Sequence, residues 1–164
     1  MEIRYKKLVP EAKAPFRKYE DDAGYDLFAV SKIETDKYVE YGTGIAIEIP
    51  KYYVGLVFPR SSVTEKDLML KNCVGIIDAQ YRGEIRCRFF DTEKRKDYIE
   101  IIEIIENDTI NKIHPPYLKK NIYEVGERVA QLIIIPIPPV ELIESDELSK
   151  TERGTSGFGS SGSK

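Results

Sequence analysis

Residues 72–84 read Asn72-Cys73-Val74-Gly75-Ile76-Ile77-Asp78-Ala79-Gln80-Tyr81-Arg82-Gly83-Glu84. A carboxylate ends an apolar run, a phenol ring follows three residues later, and an Arg-Gly pair turns the chain back. An ionised carboxylate at the mouth of a turn can orient a water for attack. A decorated β-turn without chemistry fits the same residues. A second concentration of chemistry lies at the end of the chain, Arg153-Gly154-Thr155-Ser156-Gly157-Phe158-Gly159-Ser160-Ser161-Gly162. Four glycines and four hydroxyl residues surround one ring and follow one arginine. Glycine lets backbone N–H groups approach an anion, the hydroxyls donate hydrogen bonds, the arginine supplies a fork and the ring a flat face. Such a segment has almost nothing to bury, so by itself it should be mobile.

Three further stretches carry weaker signals. Asp22-Ala23-Gly24-Tyr25-Asp26-Leu27-Phe28-Ala29 sets two carboxylates among small residues, or is simply a turn closing onto a strand. Pro59-Arg60-Ser61-Ser62 gathers hydroxyls, a guanidinium and free N–H groups where a strand passes into a presumed helix. That is an anion seat, or equally an N-cap with a surface arginine. Gln131, within Gly126-Glu127-Arg128-Val129-Ala130-Gln131-Leu132, is the one polar side chain of an apolar strand and needs a partner or a ligand. A core amide bonded to backbone satisfies it equally. Two familiar phosphate motifs fail: Gly157 and Gly162 have P-loop spacing, but Ser163-Lys164 is in the wrong order. Gly42-Thr43-Gly44 lacks a third glycine and precedes a strand, so it is a turn.

The elements that must position these residues read mostly as strands. Residues 44–49 and 53–58 are apolar runs joined by Pro50-Lys51, as in a hairpin, and 74–77 with 84–90 form another such pair. Residues 129–137 make the strongest buried-strand signal, which the prolines at 136, 138 and 139 end or place at an edge. Ser62–Leu70 reads as the one helix, with Glu65 three residues after Ser62. Tyr98–Glu106, with five isoleucines, leans to strand. Asp91–Asp97 is a dense charged run, His114-Pro115-Pro116 forces a loop, and residues 91–123 read as an insertion between core strands. Many short strands with turn signals argue for an all-β barrel or sandwich.

The chain has 164 residues, 41% of them hydrophobic and 32% charged, with a net charge of −3. One domain with a real core is expected, and no global basic field favours nucleic acid. An anionic ligand must therefore be held by local cations or a metal. Cys73 and Cys87 form no C-x-x-C pair and read as reduced thiols in strands of a cytoplasmic protein. The single His114 is too little for a histidine-based metal site. No apolar run reaches membrane-spanning length, and Met1-Glu2-Ile3-Arg4 is no signal peptide.

Taken in order, the five stretches resemble the five motifs of the trimeric dUTPase family, over nearly all of the chain except 91–123. The insertion is similar to that of the longer bacteriophage members. The resemblance implies an all-β jelly-roll barrel with one short helix, residues 1–150, followed by a C-terminal arm, 151–164. It implies a homotrimer, the arm closing over a neighbour's site. The reaction would convert dUTP to dUMP and pyrophosphate with Mg²⁺, cleansing the nucleotide pool and supplying a dTTP precursor.

Carried over by position, Asp78 would orient the attacking water. Tyr81 would exclude a 2′-hydroxyl, Asn72, Gly75 and Ile77 would pair with uracil, and Phe158 would stack on it. Arg60, Ser61, Ser62, Gln131, Arg153, Gly159, Ser160 and Ser161 would hold phosphates. Asp26 would act on the metal through water. The rival dCTP deaminase family shares the fold but uses a glutamate base where this chain has Arg88. A protein partner at 91–123, or a binding module without chemistry, are the remaining readings.

Overall fold

The computed structural model describes residues 1–92, 102–106, 109–113 and 121–157, with backbone alone at 102–106 and 109–113. Among the described residues twelve strands run in chain order: β1 Tyr5–Lys7, β2 Tyr25–Phe28, β3 Ser31–Glu34, β4 Val39–Gly42, β5 Ile45–Ile47, β6 Tyr53–Phe58, β7 Leu68–Leu70, β8 Gly75–Ile77, β9 Arg86–Asp91, β10 Ile102–Glu106, β11 Thr109–Ile113 and β12 Arg128–Pro136. Two four-stranded antiparallel sheets, β2-β12-β6-β8 and β3-β4-β9-β7, account for most of them. Their inner faces supply the core: Leu27, Val57, Ile77, Ala130 and Leu132 from one, Val39, Tyr41, Leu68, Leu70, Cys87 and Phe89 from the other. Alternation along β9 shows the cause: Cys87 and Phe89 are buried while Arg86 and Arg88 face out, the period-two pattern of a strand with one wet face. Tyr41, Phe89 and Tyr123 pack edge to face at the centre. The all-β jelly-roll class expected from the sequence is the class observed.

Both expected hairpins are corrected. β5 pairs with β1, and β6 pairs with β12 and β8. Ile45–Ile47 is buried at every position, so the run has no wet face to present as one arm of a simple hairpin. The turn after Pro50 then redirects the chain through Tyr52 in a left-handed conformation (φ 66°). β8 and β9 join different sheets because the connection between them, 78–85, detours past the β4–β5 turn: Ile85 N–H donates to Ile45 O.

The expected helix over Ser62–Leu70 is a five-residue 3-10 turn, Ser61–Glu65, followed by β7. Leu68 and Leu70 are buried and Met69 is exposed, a strand period. No side chain caps the turn, so the Ser62–Glu65 capping signal is not used. Cys73 sits in a turn with φ 60°, not in a strand, and is exposed; Cys87 is in β9, and both thiols are free.

β12 is flanked on both sides, by β2 and β6, so it is central and simply ends at Pro136. Strand structure holds for Ile102–Glu106, paired with β11. Tyr98–Ile101 and His114–Pro116 lie outside the described residues. Asp91 closes β9 and is buried, as are Ile122 and Tyr123. Asn121 N–H donates to Asp67 Oδ2 at 2.8 Å. Both ends of the stretch 91–123 are therefore stitched into the core.

Candidate active site

The central strand β12 decides which distant residues meet. Its register places Gln131 opposite Asp26 on one side and Phe58 on the other. The Pro59-Arg60 step follows Phe58 directly, so three separate stretches converge there. Arg60 Nε donates to Asp26 Oδ1 at 2.6 Å, and Arg128 Nη1 donates to Asp26 Oδ2 at 3.0 Å. Asp26 is thus a bracket for two guanidinium groups. Arg60 Nη1 also donates to Ser62 Oγ at 3.2 Å, and Ser62 Oγ lies 3.0 Å from the hydroxyl of buried Tyr123. Gln131 Nε2 donates to Pro59 O at 3.0 Å, the backbone partner its place in an apolar strand requires. Gly24 passes so close that an added Cβ would lie 3.1 Å from Gln131 Oε1. Ser61 opens the 3-10 turn beside this group. Cations, hydroxyls and N–H groups on a partly buried floor can hold an anion.

A second group gathers around β8. An open cleft of about 510 Å³ is lined by Asn72, Ile77, Asp78 and Tyr81, with Lys71, Glu40, Glu84, Arg86 and Arg88 on its walls. Asp78 leaves the end of β8 with its side chain exposed. Gly75 presses against β6, where an added Cβ would stand 3.2 Å from Val57 Cβ and 3.6 Å from Asn72 Nδ2. Tyr81 donates its hydroxyl to Glu84 O at 2.9 Å. Glu40 is buried between Arg86 and Arg88, with contacts of 3.0 and 2.6 Å. The Arg88 guanidinium, chiefly by its hydrogen bond, holds the Glu40 carboxyl below its ordinary value against the opposing effect of burial. Arg88 also lies over the Tyr38 ring, and as a paired cation it supplies no general base at this cleft.

Asp78 and Arg60 leave the paired strands β8 and β6 at opposite ends. Ile77 pairs with Gly55, while Arg60 lies five residues further along, roughly 16 Å of extended chain. Within one chain the carboxylate cleft and the guanidinium floor are therefore separate. Arg153 lies in the exposed terminal segment, with Nε donating to Ser156 O at 3.1 Å. Phe158, Gly159, Ser160 and Ser161 lie outside the described residues. Sequence reasoning assigned no role to Arg128 or Tyr123. Arg128 could have been suspected from its place three residues before Gln131; Tyr123 carried no signal, since it is the last residue of the stretch read as an insertion.

The dUTPase family model matches residues 10–105 and 94–162. A deoxyuridine 5'-triphosphate nucleotidohydrolase of Corynebacterium diphtheriae is 37% identical over 163 residues, covering 98% of this chain and 92% of that protein. A mutant dUTPase of Staphylococcus bacteriophage 80alpha, solved with dUpNHpp, superposes with a TM-score of 0.76 at 33% identity and 99% coverage of both chains. A mutant dUTPase from phage phi11 of S. aureus, described for the coordination of a structural Mg(II) ion, gives a TM-score of 0.67 at 30% identity, with 90% of this chain and 98% of that one covered. A family model matched over both halves, and a relative 37% identical aligned nearly end to end, show the family: the chain belongs to the dUTPase family.

Proposed function

We propose that this protein hydrolyses dUTP to dUMP and pyrophosphate, by in-line attack of water at the α-phosphorus. The observation that carries the reading is the single cleft shared by Asp78, Asn72, Ile77 and Tyr81 in a chain of this family. Asp78 orients the water, and positioning and charge stabilisation carry the rate. Asn72 and the backbone of Gly75 and Ile77 read the uracil edge. Cytosine presents donor and acceptor reversed there and would leave buried groups unpaired. Tyr81 stands against the sugar and leaves no room for a 2′-hydroxyl.

Arg60, Ser61, Ser62 and Gln131 hold phosphates, and Asp26 keeps Arg60 aimed. From the terminal arm, Arg153, Gly159, Ser160 and Ser161 close over the outer phosphates while Phe158 stacks on the base. Stacking of this kind contributes about 1–3 kcal/mol, enough to help order a glycine-rich arm.

Among the described residues no group of three or more His, Cys, Asp or Glu could cage a metal. That donor set fits Mg²⁺ carried on triphosphate oxygens and water, with Asp26 reaching it through water. When bound, the ion offsets charge on the triphosphate. The phi11 dUTPase supports a divalent ion in this family.

A homotrimer with sites at its junctions accounts for the separation of the two groups along β6, since another chain can supply the missing half. Residues 137–150 support it: Val140, Leu142, Ile143 and Leu148 are all exposed and call for a covering surface. A cytoplasmic location goes with the two free thiols. A protein partner at 91–123 is kept as an expectation, since among the described residues β10–β11 forms its own sheet and pairs with no other strand.

The decisive assay incubates the protein with each deoxynucleoside triphosphate plus Mg²⁺ and measures pyrophosphate. Release from dUTP alone is expected. Ammonia from dCTP, or pyrophosphate from every substrate alike, overturns the reading. Asp78→Asn should keep binding and lose most turnover.

A further inference from the structure

We propose that Glu84 is a positioning residue for sugar selection, acting by clamping the loop that carries Tyr81 onto the Gly42-Thr43-Gly44 turn. The inference rests on the reading of Tyr81 as the group facing the sugar. A ring selects by exclusion only if it cannot swing aside, and Tyr81 is 44% exposed, with little packing to hold it.

Its restraints lie in the next residues. The hydroxyl donates to Glu84 O at 2.9 Å. The ring rests on Gly83, where an added Cβ would stand 2.5 Å from the hydroxyl oxygen and 2.6 Å from Cζ. A side chain at 83 would therefore displace the ring.

Glu84 carries the restraint to the body of the protein. Its side chain is 17% exposed. Oε1 accepts the Gly44 N–H at 2.8 Å, and Oε2 accepts Arg86 Nε at 2.7 Å. The carboxylate occupies space that only glycine leaves, since a Cβ on Gly42 would stand 2.7 Å from Oε1. The receiving N–H is itself fixed: Gly44 has φ 65°, and a Cβ there would meet Val9 and Ala12 at 2.9 Å. Thr43 Oγ1 completes the junction, donating to Ile85 O at 2.7 Å. The turn that failed as a dinucleotide motif thus serves as the anchor of the selectivity loop. One residue joins the two, taking the ring's hydroxyl on its carbonyl and the anchor's N–H on its carboxylate.

The test compares kcat/KM for dUTP and UTP in the wild type and in Glu84→Ala, Glu84→Gln, Gly42→Ala and Tyr81→Ala. Glu84→Ala should lower the dUTP/UTP ratio by about tenfold, the factor one charge-assisted hydrogen bond carries. Glu84→Gln retains an acceptor for Gly44 and should keep most of the ratio. Gly42→Ala leaves the Glu84 side chain in the sequence but puts a methyl 2.7 Å from its Oε1 and 2.5 Å from Ser31 Oγ, so it evicts the carboxylate and should reproduce the Glu84→Ala loss. It also keeps the proposal open to refutation if Glu84→Ala does not fold. Equal losses for both substrates in Glu84→Ala and Gly42→Ala would make Glu84 merely structural and overturn the proposal. A collapsed ratio in Tyr81→Ala with an intact ratio in those two would also overturn it. An intact ratio in Tyr81→Ala would instead remove the sugar-facing reading on which it stands.

Discussion

Asp26→Asn is the substitution that most directly tests how the phosphate floor is built. Asp26 and Arg60 are only 17% and 21% exposed, and both oxygens of Asp26 are engaged, by Arg60 at 2.6 Å and Arg128 at 3.0 Å. A hydrogen bond to a charged group contributes about 1.5–3 kcal/mol. Asparagine keeps one carbonyl oxygen without the negative charge, so it can accept from one guanidinium but cannot pair with both. The net loss should be about 2 kcal/mol, a drop in Tm of about 4–8 °C for a chain of this size.

Two effects on substrate binding compete. Losing the carboxylate frees Arg60 Nε for phosphate, which would tighten binding; it also lets the side chain leave its aim. Asp26 occupies Nε, and Ser62 accepts from Nη1, so the fork can already offer Nη2 to a ligand. Orientation therefore outweighs competition, and KM for dUTP should rise about 10–30-fold if the same energy is drawn from phosphate binding. A thermal melt and steady-state kinetics measure the two quantities separately. A fall in Tm with KM unchanged or lowered would refute the argument, leaving Asp26 a stabilising bracket with no hold on the substrate.

Other outcomes follow from the same geometry. Glu40 has its folded pKa lowered by Arg88 and Arg86, so its contribution is present above the ordinary carboxylate value of 4.5 and lost as pH falls through the folded value. Glu40→Gln should accordingly melt below the wild type at pH 7, and the two Tm values should converge in acid; a constant gap at all pH values would contradict this. Burial pushes the Cys87 thiol up to about 12 while Cys73 is exposed, so an aromatic disulfide reagent should find one thiol in the native chain and two after denaturation. Truncation after Lys150 removes no core residue among those described and should leave the melting transition in place while dUTP turnover falls steeply; an active truncated protein would show that the arm is dispensable.

The order of the five motifs along the chain was enough to name the family, because each motif is a local run whose residue types carry its chemistry. The all-β class was legible for a similar reason: branched and aromatic runs at close spacing cannot be read as helices. Which strands pair was not legible. Residues 44–49 and 53–58 look like hairpin arms, but pairing depends on what covers each face, and burial of Ile45–Ile47 throughout is a property of the folded layers. Leu68 and Met69 read as the apolar part of a short helix, but pairing with β9 buries Leu68 and Leu70 and exposes Met69 between them.

The sequence by itself determined the inventory of groups: a carboxylate, a ring, an amide, guanidinium groups and hydroxyls at recognisable spacings. Tertiary structure alone decided which of them touch. The register of β12 sets Gln131 beside Asp26, and Asp26 in turn holds both Arg60 and Arg128. The passage of β8 and β9 into different sheets brings Glu84 to Gly44, a separation of 40 residues along the chain. Such contacts arise from strand register and sheet stacking, which are settled by the packing of the whole chain and leave no mark on the local sequence.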